Sequence, residues 1–284
     1  MLSAMLNAIY VLAALALVAS FGLAIAARIF AVETDPRIER VEEALPGVNC
    51  GACGFPGCSG LAKAIVEEKA GVADCPVGGE NTASAVAEIM GLSFAGGGEK
   101  MVAMVLCRGD DEVASKRFYY NGVSDCSSAA LIFGGDKSCS YGCLGLGTCA
   151  GACPFGAIEM LPSGLALIDP EKCTGCTKCV DSCPKGIIKM VPASRTVHIL
   201  CSSHDKGGVA RKACKTACIG CQKCVKAVPE GAIVMDNFLA VINYDMEIPE
   251  EVADECPMNT IVVRRQGDLA ATSVDMQTAV GGDA

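Results

Sequence analysis

The sequence predicts an α+β protein built from several small parts, and three observations support this prediction. The chain opens with an uninterrupted apolar run, it then carries 20 cysteines in tight runs, and a short segment centred on a proline recurs four times. Its 284 residues suffice for one large domain or for two to three small ones. The net charge of −9 and the absence of tryptophan argue against a nucleic-acid partner.

Residues 1–30 predict a transmembrane anchor. No charged side chain precedes Arg28, and the apolar run reaches the ~20 residues that cross a bilayer. The alternative, a cleaved signal peptide, would have a basic start and a shorter apolar core. Arg28, Arg37 and Arg40 follow the run, and no Lys or Arg precedes it. We therefore expect a single-pass protein of the cell (inner) membrane, with its N-terminus outside and its other domains in the cytoplasm.

The cysteines are better placed to bind metal than to form disulfides. Many recur at i, i+3 spacing, so that neighbours converge on one metal centre more readily than they bridge each other. Disulfide frameworks are typical of much shorter secreted chains. A reducing, cytosol-facing environment is the expected compartment for such thiols.

The first cysteine group predicts a small helical 4Fe-4S domain at 34–94. Each iron of a four-iron cube needs one thiolate, and intervening glycines let the backbone wrap the cube closely. A structural zinc ion is the alternative. Helices are predicted at 59–71 and 80–91, and the glycine-rich stretch 95–100 predicts a domain boundary. The ligands are Cys50, Cys53, Cys58 and Cys75.

A fourfold repeat predicts two ferredoxin-like modules in tandem, at 100–206 and 207–265. Its copies are "CPFGAI" (153–158), "CPKGII" (183–188), "VPEGAI" (228–233) and "CPMNTI" (256–261). In two-cluster ferredoxins, the fourth cysteine of each run binds the other run's cluster. Each module is therefore expected to hold its two halves together by crossed ligation.

Crossed ligation predicts two clusters in the first module. The regular run "CTGCTKCVDSCP" predicts a cluster on Cys173, Cys176, Cys179 and Cys153. The run at 139–153 contains inserted residues, and it predicts a second cluster on Cys139, Cys143, Cys149 and Cys183.

The second module is predicted to hold one cluster. Val228 stands where the run beginning at Cys218 would have its fourth cysteine, and the partner cluster's ligands would fall at Met246, Pro249 and Val252. Because none of these is cysteine, the partner cluster is absent and Val228 has nothing to bind. The surviving cluster is predicted on Cys218, Cys221, Cys224 and Cys256.

Four cysteines remain: Cys107, Cys126, Cys201 and Cys214. Cys107 and Cys201 each end a predicted short strand, in "MVAMVLC" and "RTVHILC", and the matched contexts suggest that the two strand ends face each other. Four thiols meet the requirement of a fifth cluster, and a structural zinc or free thiols are the alternatives.

The rest of the sequence offers no catalytic constellation. His198 and His204 are expected to be structural, and no phosphate loop or dinucleotide fingerprint is present. The segment 266–284 predicts a disordered tail. Six lysines beside the cysteine runs are either solvated surface or a docking site for an acidic electron carrier: Lys172, Lys178, Lys185, Lys215, Lys223 and Lys226.

The chain resembles the B subunit of the Rnf ion-translocating oxidoreductase complex from residue 1 to about 265. The motifs that carry the resemblance are "NCGACGFPGCSG" with "DCPVGG", and "GGDKSCSYGCLGLGTC" with "CPFGAI". The resemblance implies a translocase subunit without an active site of its own. It would accept electrons from soluble ferredoxin and pass them to partner subunits of a ferredoxin:NAD oxidoreductase in the lipid bilayer.

Two rival functions differ in chemistry. A reductase or activase acting on its own bound substrate would need a cluster with an open ligand position, whereas the cysteine sets here are complete. A zinc-built interaction scaffold would lack a visible absorption that bleaches on reduction.

Overall fold

The fold combines an N-terminal helix, a small helical domain and two modules of paired short strands, which confirms the mixed α+β prediction. The computed structural model describes residues 2–29, 35–94, 96 and 99–264. The predicted tail at 266–284 lies outside the described residues, and so do 95, 97 and 98 of the predicted boundary.

The first helix, α1, spans Leu2–Ile29. Its side chains are described at 7, 10 and 12–28, and apolar ones such as Leu17, Phe21 and Leu23 are exposed. Among the described residues, no helix meets both the length and the hydropathy that a membrane span requires. The predicted span therefore stays a prediction.

The small helical domain contains α2 (Pro36–Ala44), α3 (Gly57–Val66) and α4 (Gly79–Met90). The carboxylate of Asp35 caps α2 by accepting the backbone N–H of Arg37. α3 ends before the predicted position, because the chain leaves the helix and adopts a left-handed backbone at Glu68 (φ 57°). The three helices pack their apolar faces into one small core.

The first module pairs its outer strands around an inner hairpin. β1 pairs antiparallel with β4, with Met101 opposite Pro192, and β2 pairs antiparallel with β3. Its elements are β1 (Met101–Val105), α5 (Cys126–Ala130), α6 (Thr148–Ala152), β2 (Ile158–Met160), β3 (Ala166–Ile168), α7 (Lys178–Ser182) and β4 (Ile188–Pro192).

The second module repeats this arrangement. β5 pairs antiparallel with β8, and β6 pairs antiparallel with β7. β5 precedes the predicted boundary at 207, yet its pairing with β8 places it in the second module. The elements are β5 (Val197–Ile199), α8 (Gly207–Ala213), α9 (Lys223–Lys226), β6 (Ile233–Asp236), β7 (Leu239–Ile242), a 3-10 turn (Glu250–Ala253) and β8 (Ile261–Val263).

A short backbone contact joins the two modules. The N–H of Ser115 donates to the carbonyl of Ala213, and the N–H of Lys215 donates to the carbonyl of Val113, both at 2.9 Å. Small apolar side chains around Cys214 fill the space beside this contact. Segments from both modules therefore meet next to one of the cysteines left over from the repeats.

Apolar side chains fill the half of the second module that lacks cysteines. Val252 stands at a predicted ligand position and is buried, and the half-buried Val228 packs against the same core. His198 is buried nearby, and burial lowers its pKa to about 4. Its Nε2 donates to the carbonyl of Arg195, so its Nδ1 accepts from the hydroxyl of Tyr244, each at 3.0 Å. This neutral histidine has a structural role.

Candidate metal centres

All twenty cysteines lie in the described part of the chain, and none of them forms a disulfide. Among the described residues, no three His, Cys, Asp or Glu side chains converge closely enough to hold a single metal ion. A four-iron cube has one thiolate on each iron, so its ligands surround a hollow instead of meeting at a point. The cysteines form five sets, A to E: sets C, D and E each line one pocket, and sets A and B follow the sequence-based prediction.

Set E consists of Cys218, Cys221, Cys224 and Cys256. These four cysteines line one pocket, as the sequence predicted for the second module. The pocket is also lined by apolar side chains of β5, β6, β7 and β8. Cys256 comes from the far end of the module, and the N–H of Thr260 donates to its sulfur at 3.3 Å.

Sets C and D differ from the predicted grouping. Set D lines one pocket and consists of Cys107, Cys139, Cys201 and Cys214. Set C lines another pocket and consists of Cys126, Cys143, Cys149 and Cys183. The sequence-based prediction assigned Cys139 to set C and Cys126 to set D, whereas in the structure each of these two cysteines lines the other pocket.

Local structure explains the exchange of Cys126 and Cys139. Cys126 begins α5, and its N–H donates to the hydroxyl of Thr148 at 2.7 Å, which brings it beside Cys149. Cys139 lies in an irregular segment that faces the second module, where Cys214 acts on it electrostatically. The residues inserted between Cys139 and Cys149 therefore let Cys139 leave the standard run.

Set B contains the predicted ligands Cys153, Cys173, Cys176 and Cys179. The last three are buried, and burial followed by the charges of Cys173 and Cys176 raises the pKa of Cys179 to about 12. Cys153 ends α6, and the N–H of Ala157 donates to its sulfur at 3.4 Å. α6 and α7 pack together, but the grouping of Cys153 with the other three stays a prediction.

Set A contains the predicted ligands Cys50, Cys53, Cys58 and Cys75. Cys53, Cys58 and Cys75 pack against the helical core. Burial raises the pKa of Cys75, and the charges of Cys58 and Cys53 raise it further. The amide oxygen of Asn49 accepts the N–H of Cys58 at 2.7 Å, which fixes the start of α3 beside the cysteine loop. The place of Cys50 in this set stays a prediction.

Backbone amides link neighbouring sets through sulfur. The N–H of Cys143 in set C donates to the sulfur of Cys107 in set D at 3.4 Å. The N–H of Cys218 in set E donates to the sulfur of Cys201 in set D, also at 3.4 Å. Hydrogen bonds to cluster sulfurs are one of the protein's means of setting reduction potential. Set D therefore lies between sets C and E.

The hollows disfavour free thiolates. Burial raises the pKa of Cys143, Cys149 and Cys224 to about 11 and that of Cys201 to about 12, and neighbouring cysteines add to each rise. Binding of a metal centre removes the thiol proton and compensates the thiolate charge. Four sulfur donors, an apolar lining and amides aimed at sulfur together fit a four-iron cube.

Sequence reasoning missed one buried residue beside these centres. Lys137 is 2% exposed and lies between sets C and D. It is flanked by Asp136 and Ser138, so the sequence is typical of ordinary polar surface. This lysine is turned inwards because the backbone at 136–138 pairs with the backbone at 116–117. No local sequence signal predicts that pairing.

Two family models match parts of the chain. A model described as an Fe-S cluster matches residues 45–77, which contain all of set A. A model described as a 4Fe-4S dicluster domain matches residues 138–187, which contain all of set B and three members of set C.

Three curated relatives match most of the chain, and each is named as the B subunit of an oxidoreductase complex. The relative from Acetobacterium woodii is 50% identical over 92% of this chain and 78% of its own length, and its complex is named Na(+)-translocating ferredoxin:NAD(+) oxidoreductase. The relative from Methanosarcina acetivorans is 41% identical over 86% of this chain and 92% of its own length, and its complex is named ion-translocating oxidoreductase. The relative from Clostridium ljungdahlii is 47% identical over 75% of each chain, and its complex is named proton-translocating ferredoxin:NAD(+) oxidoreductase.

Paired alanine substitutions test the regrouped sets. Each of Cys139→Ala and Cys214→Ala should lower the iron content by about four atoms per chain, because each breaks the same cube. The double variant should lose no more iron than either single variant. Cys126→Ala combined with Cys214→Ala should lose about twice as much, because the two cysteines belong to different sets. Iron analysis of anaerobically purified protein measures the loss in every variant. A doubled loss in the Cys139/Cys214 pair, with no added loss in the Cys126/Cys214 pair, would support the sequence-based grouping instead.

The apolar half of the second module gives a second test. Cys256→Ala should remove the iron of set E and leave the other sets filled. Val228→Cys should add no iron, since Met246, Pro249 and Val252 offer no thiolate, and should cost about 1 kcal/mol of unfolding free energy through altered packing. Iron analysis and chemical unfolding measure these outcomes. A gain of about four irons in Val228→Cys would contradict the one-cluster interpretation.

Proposed function

Because the chain belongs to the family of B subunits of ion-translocating oxidoreductase complexes, we propose that it is the iron–sulfur electron relay of such a complex. It would accept electrons from reduced ferredoxin and deliver them to partner subunits on the way to NAD. The coupling ion is left open, since one relative is named as Na(+)-translocating and another as proton-translocating.

The observation that carries this proposal is the row of neighbouring cysteine hollows. Set E approaches set D through Cys218 and Cys201, and set D approaches set C through Cys107 and Cys143. Cys149 of set C acts electrostatically on Cys179 of set B. Such closeness suits the transfer of single electrons along the chain.

Set A would continue the row beyond set B. In support, one cleft is lined by Cys75 of set A and its neighbour Pro76 together with Gly175, which lies between two ligands of set B. We therefore propose five [4Fe–4S] clusters in the spatial order A, B, C, D, E. Each cluster, when bound, supplies a site that takes up and releases one electron. The chain supplies the thiolates, the apolar walls and the sulfur-directed amides.

Ferredoxin would dock at set E. Of the twenty described cysteines, Cys221 alone is exposed, so set E reaches solvent through this ligand. Lys223 and Lys226 are exposed beside it on α9. A small basic surface at an exposed centre complements an acidic electron carrier and speeds the encounter.

A reductase acting on its own substrate is the weaker proposal. It would need an open ligand position at one cluster, whereas the hollows of sets C, D and E are each lined by four cysteines. The names of the relatives also describe one component of a larger complex, which supports the relay.

Reduction by ferredoxin tests the relay. The full chain, purified anaerobically, should contain about 20 iron atoms if all five sets hold cubes, and reduced ferredoxin should bleach its visible absorption. Lys223→Glu with Lys226→Glu should slow this reduction about tenfold at low salt, and high salt should shrink the difference. Reduction by dithionite and a Lys172→Glu control should be unaffected. A colourless protein, or one containing zinc, would overturn the proposal.

The N-terminal helix would anchor the relay in the cell membrane. α1 carries exposed apolar side chains at positions such as Leu12, Leu15 and Val18, and a helix that is apolar all round needs an apolar environment. Its 28 residues exceed the ~20 that cross a bilayer. The basic residues after the run would keep the cysteine sets on the cytoplasmic side.

Removal of the helix tests the anchor. The full chain should stay in the membrane fraction after alkaline carbonate washing, whereas a chain starting at residue 29 should be soluble. The shortened chain should retain its iron, because every cysteine lies downstream. A full chain released by the wash would contradict a membrane span.

A further inference from the structure

A buried lysine lies where sets C and D approach each other. The Nζ of Lys137 donates to the carbonyl of Gly109 at 2.7 Å, and none of the ion pairs among the described residues includes this lysine. Burying an ammonium group without negative charge nearby costs far more than one hydrogen bond returns. Some other anionic group must therefore compensate Lys137 in the folded protein.

The groups that face Lys137 are cysteine ligands. Its hydrogen-bond partner Gly109 belongs to the wall of set D, where the N–H of Gly109 donates to the sulfur of Cys107 at 3.4 Å. A Cβ atom on Gly109 would lie 3.4 Å from the sulfur of Cys214. The N–H of Cys143 in set C donates to the same Cys107 sulfur at 3.4 Å. The ammonium group of Lys137 therefore lies beside the point where ligands of both sets meet.

Two further cations flank set D. Lys185 interacts electrostatically with Cys139 of set D and with Cys183 of set C. Its Nζ donates hydrogen bonds to the carbonyls of Gly134 and Ser140. Arg108 lines set D and acts on Cys256 of set E. Lys185 and Arg108 are only partly buried, so water screens their charges more than that of Lys137.

The nearby carboxylates are engaged elsewhere or act on other groups. Asp110 accepts two backbone N–H groups and acts on Arg108. Asp136 pairs with Lys116 at 3.7 Å. Asp205 acts on Cys139 of set D, from the side of the second module. The charge of Lys137 is therefore left to be balanced by sets C and D.

We propose that Lys137 is the buried counter-ion of the iron–sulfur centres at sets C and D, and that its fixed charge raises the reduction potential of both. The inference rests on the proposed function, because it requires cubes at these two sets. Each cube gains one negative charge when a reductant supplies one electron. A nearby positive charge then stabilises the reduced form more than the oxidised form, and burial protects this effect from salt.

Redox titration of the full chain tests the inference. In Lys137→Met, the two one-electron steps of sets C and D should move to lower potential. At a fixed potential, the ratio of reduced to oxidised centres should fall about tenfold, which corresponds to a shift of ~59 mV. Lys137→Gln keeps a donor for the carbonyl of Gly109 but removes the charge, so it should give the same shift. Electron paramagnetic resonance under anaerobic dithionite titration, with iron analysis on each sample, measures these outcomes.

Two other lysines serve as comparisons. Lys178→Met removes an exposed charge next to Cys179 and should shift no step, whereas Lys185→Met should shift the same two steps by less than Lys137→Met. Unchanged potentials in iron-replete Lys137 variants would overturn the inference, and so would an equal shift of every step. Loss of iron from both variants would assign Lys137 to folding instead. Wild-type protein without iron would overturn the proposed function itself.

Discussion

The constraint on which the fold depends is that cysteines from distant segments must meet around the same pocket. Set D takes Cys107 and Cys139 from the first module and Cys201 and Cys214 from the second. The strands that carry these segments are three to five residues long and form two-stranded sheets, which are marginal on their own. We therefore expect metal–thiolate bonds to contribute a large share of the folding free energy, as in other small proteins that fold around metals.

Sequence reasoning succeeded where the signal is local or repeated. The regular run at Cys218–Cys224 and the returning Cys256 line one cavity, and the two modules show the predicted internal repeat. It failed for Cys126 and Cys139, because the irregular spacing of the run at 139–153 leaves the partner of each cysteine to the tertiary fold. Lys137 escaped notice for a similar reason, since burial of a polar-looking segment depends on backbone pairing with residues distant in sequence.

The two modules show that an apolar core and a metal centre are alternative fillings for one scaffold. Both modules place an inner hairpin within a pair of outer strands. Where the first module has a second set of cysteines, the second has buried Val252 and half-buried Val228. In the proposed relay, this exchange would remove an electron site, and the row of cysteine sets would end at set E, whose Cys221 is exposed to solvent.

The positions of the last ligands have a consequence for biosynthesis. The final cysteine of each set falls at Cys75, Cys179, Cys183, Cys214 and Cys256 for sets A to E. A ribosome releases the chain from its N-terminus, so the sets become complete in the same order that we propose for them in space. We expect iron to be loaded progressively along the emerging chain, with the two modules locked together when Cys214 joins set D.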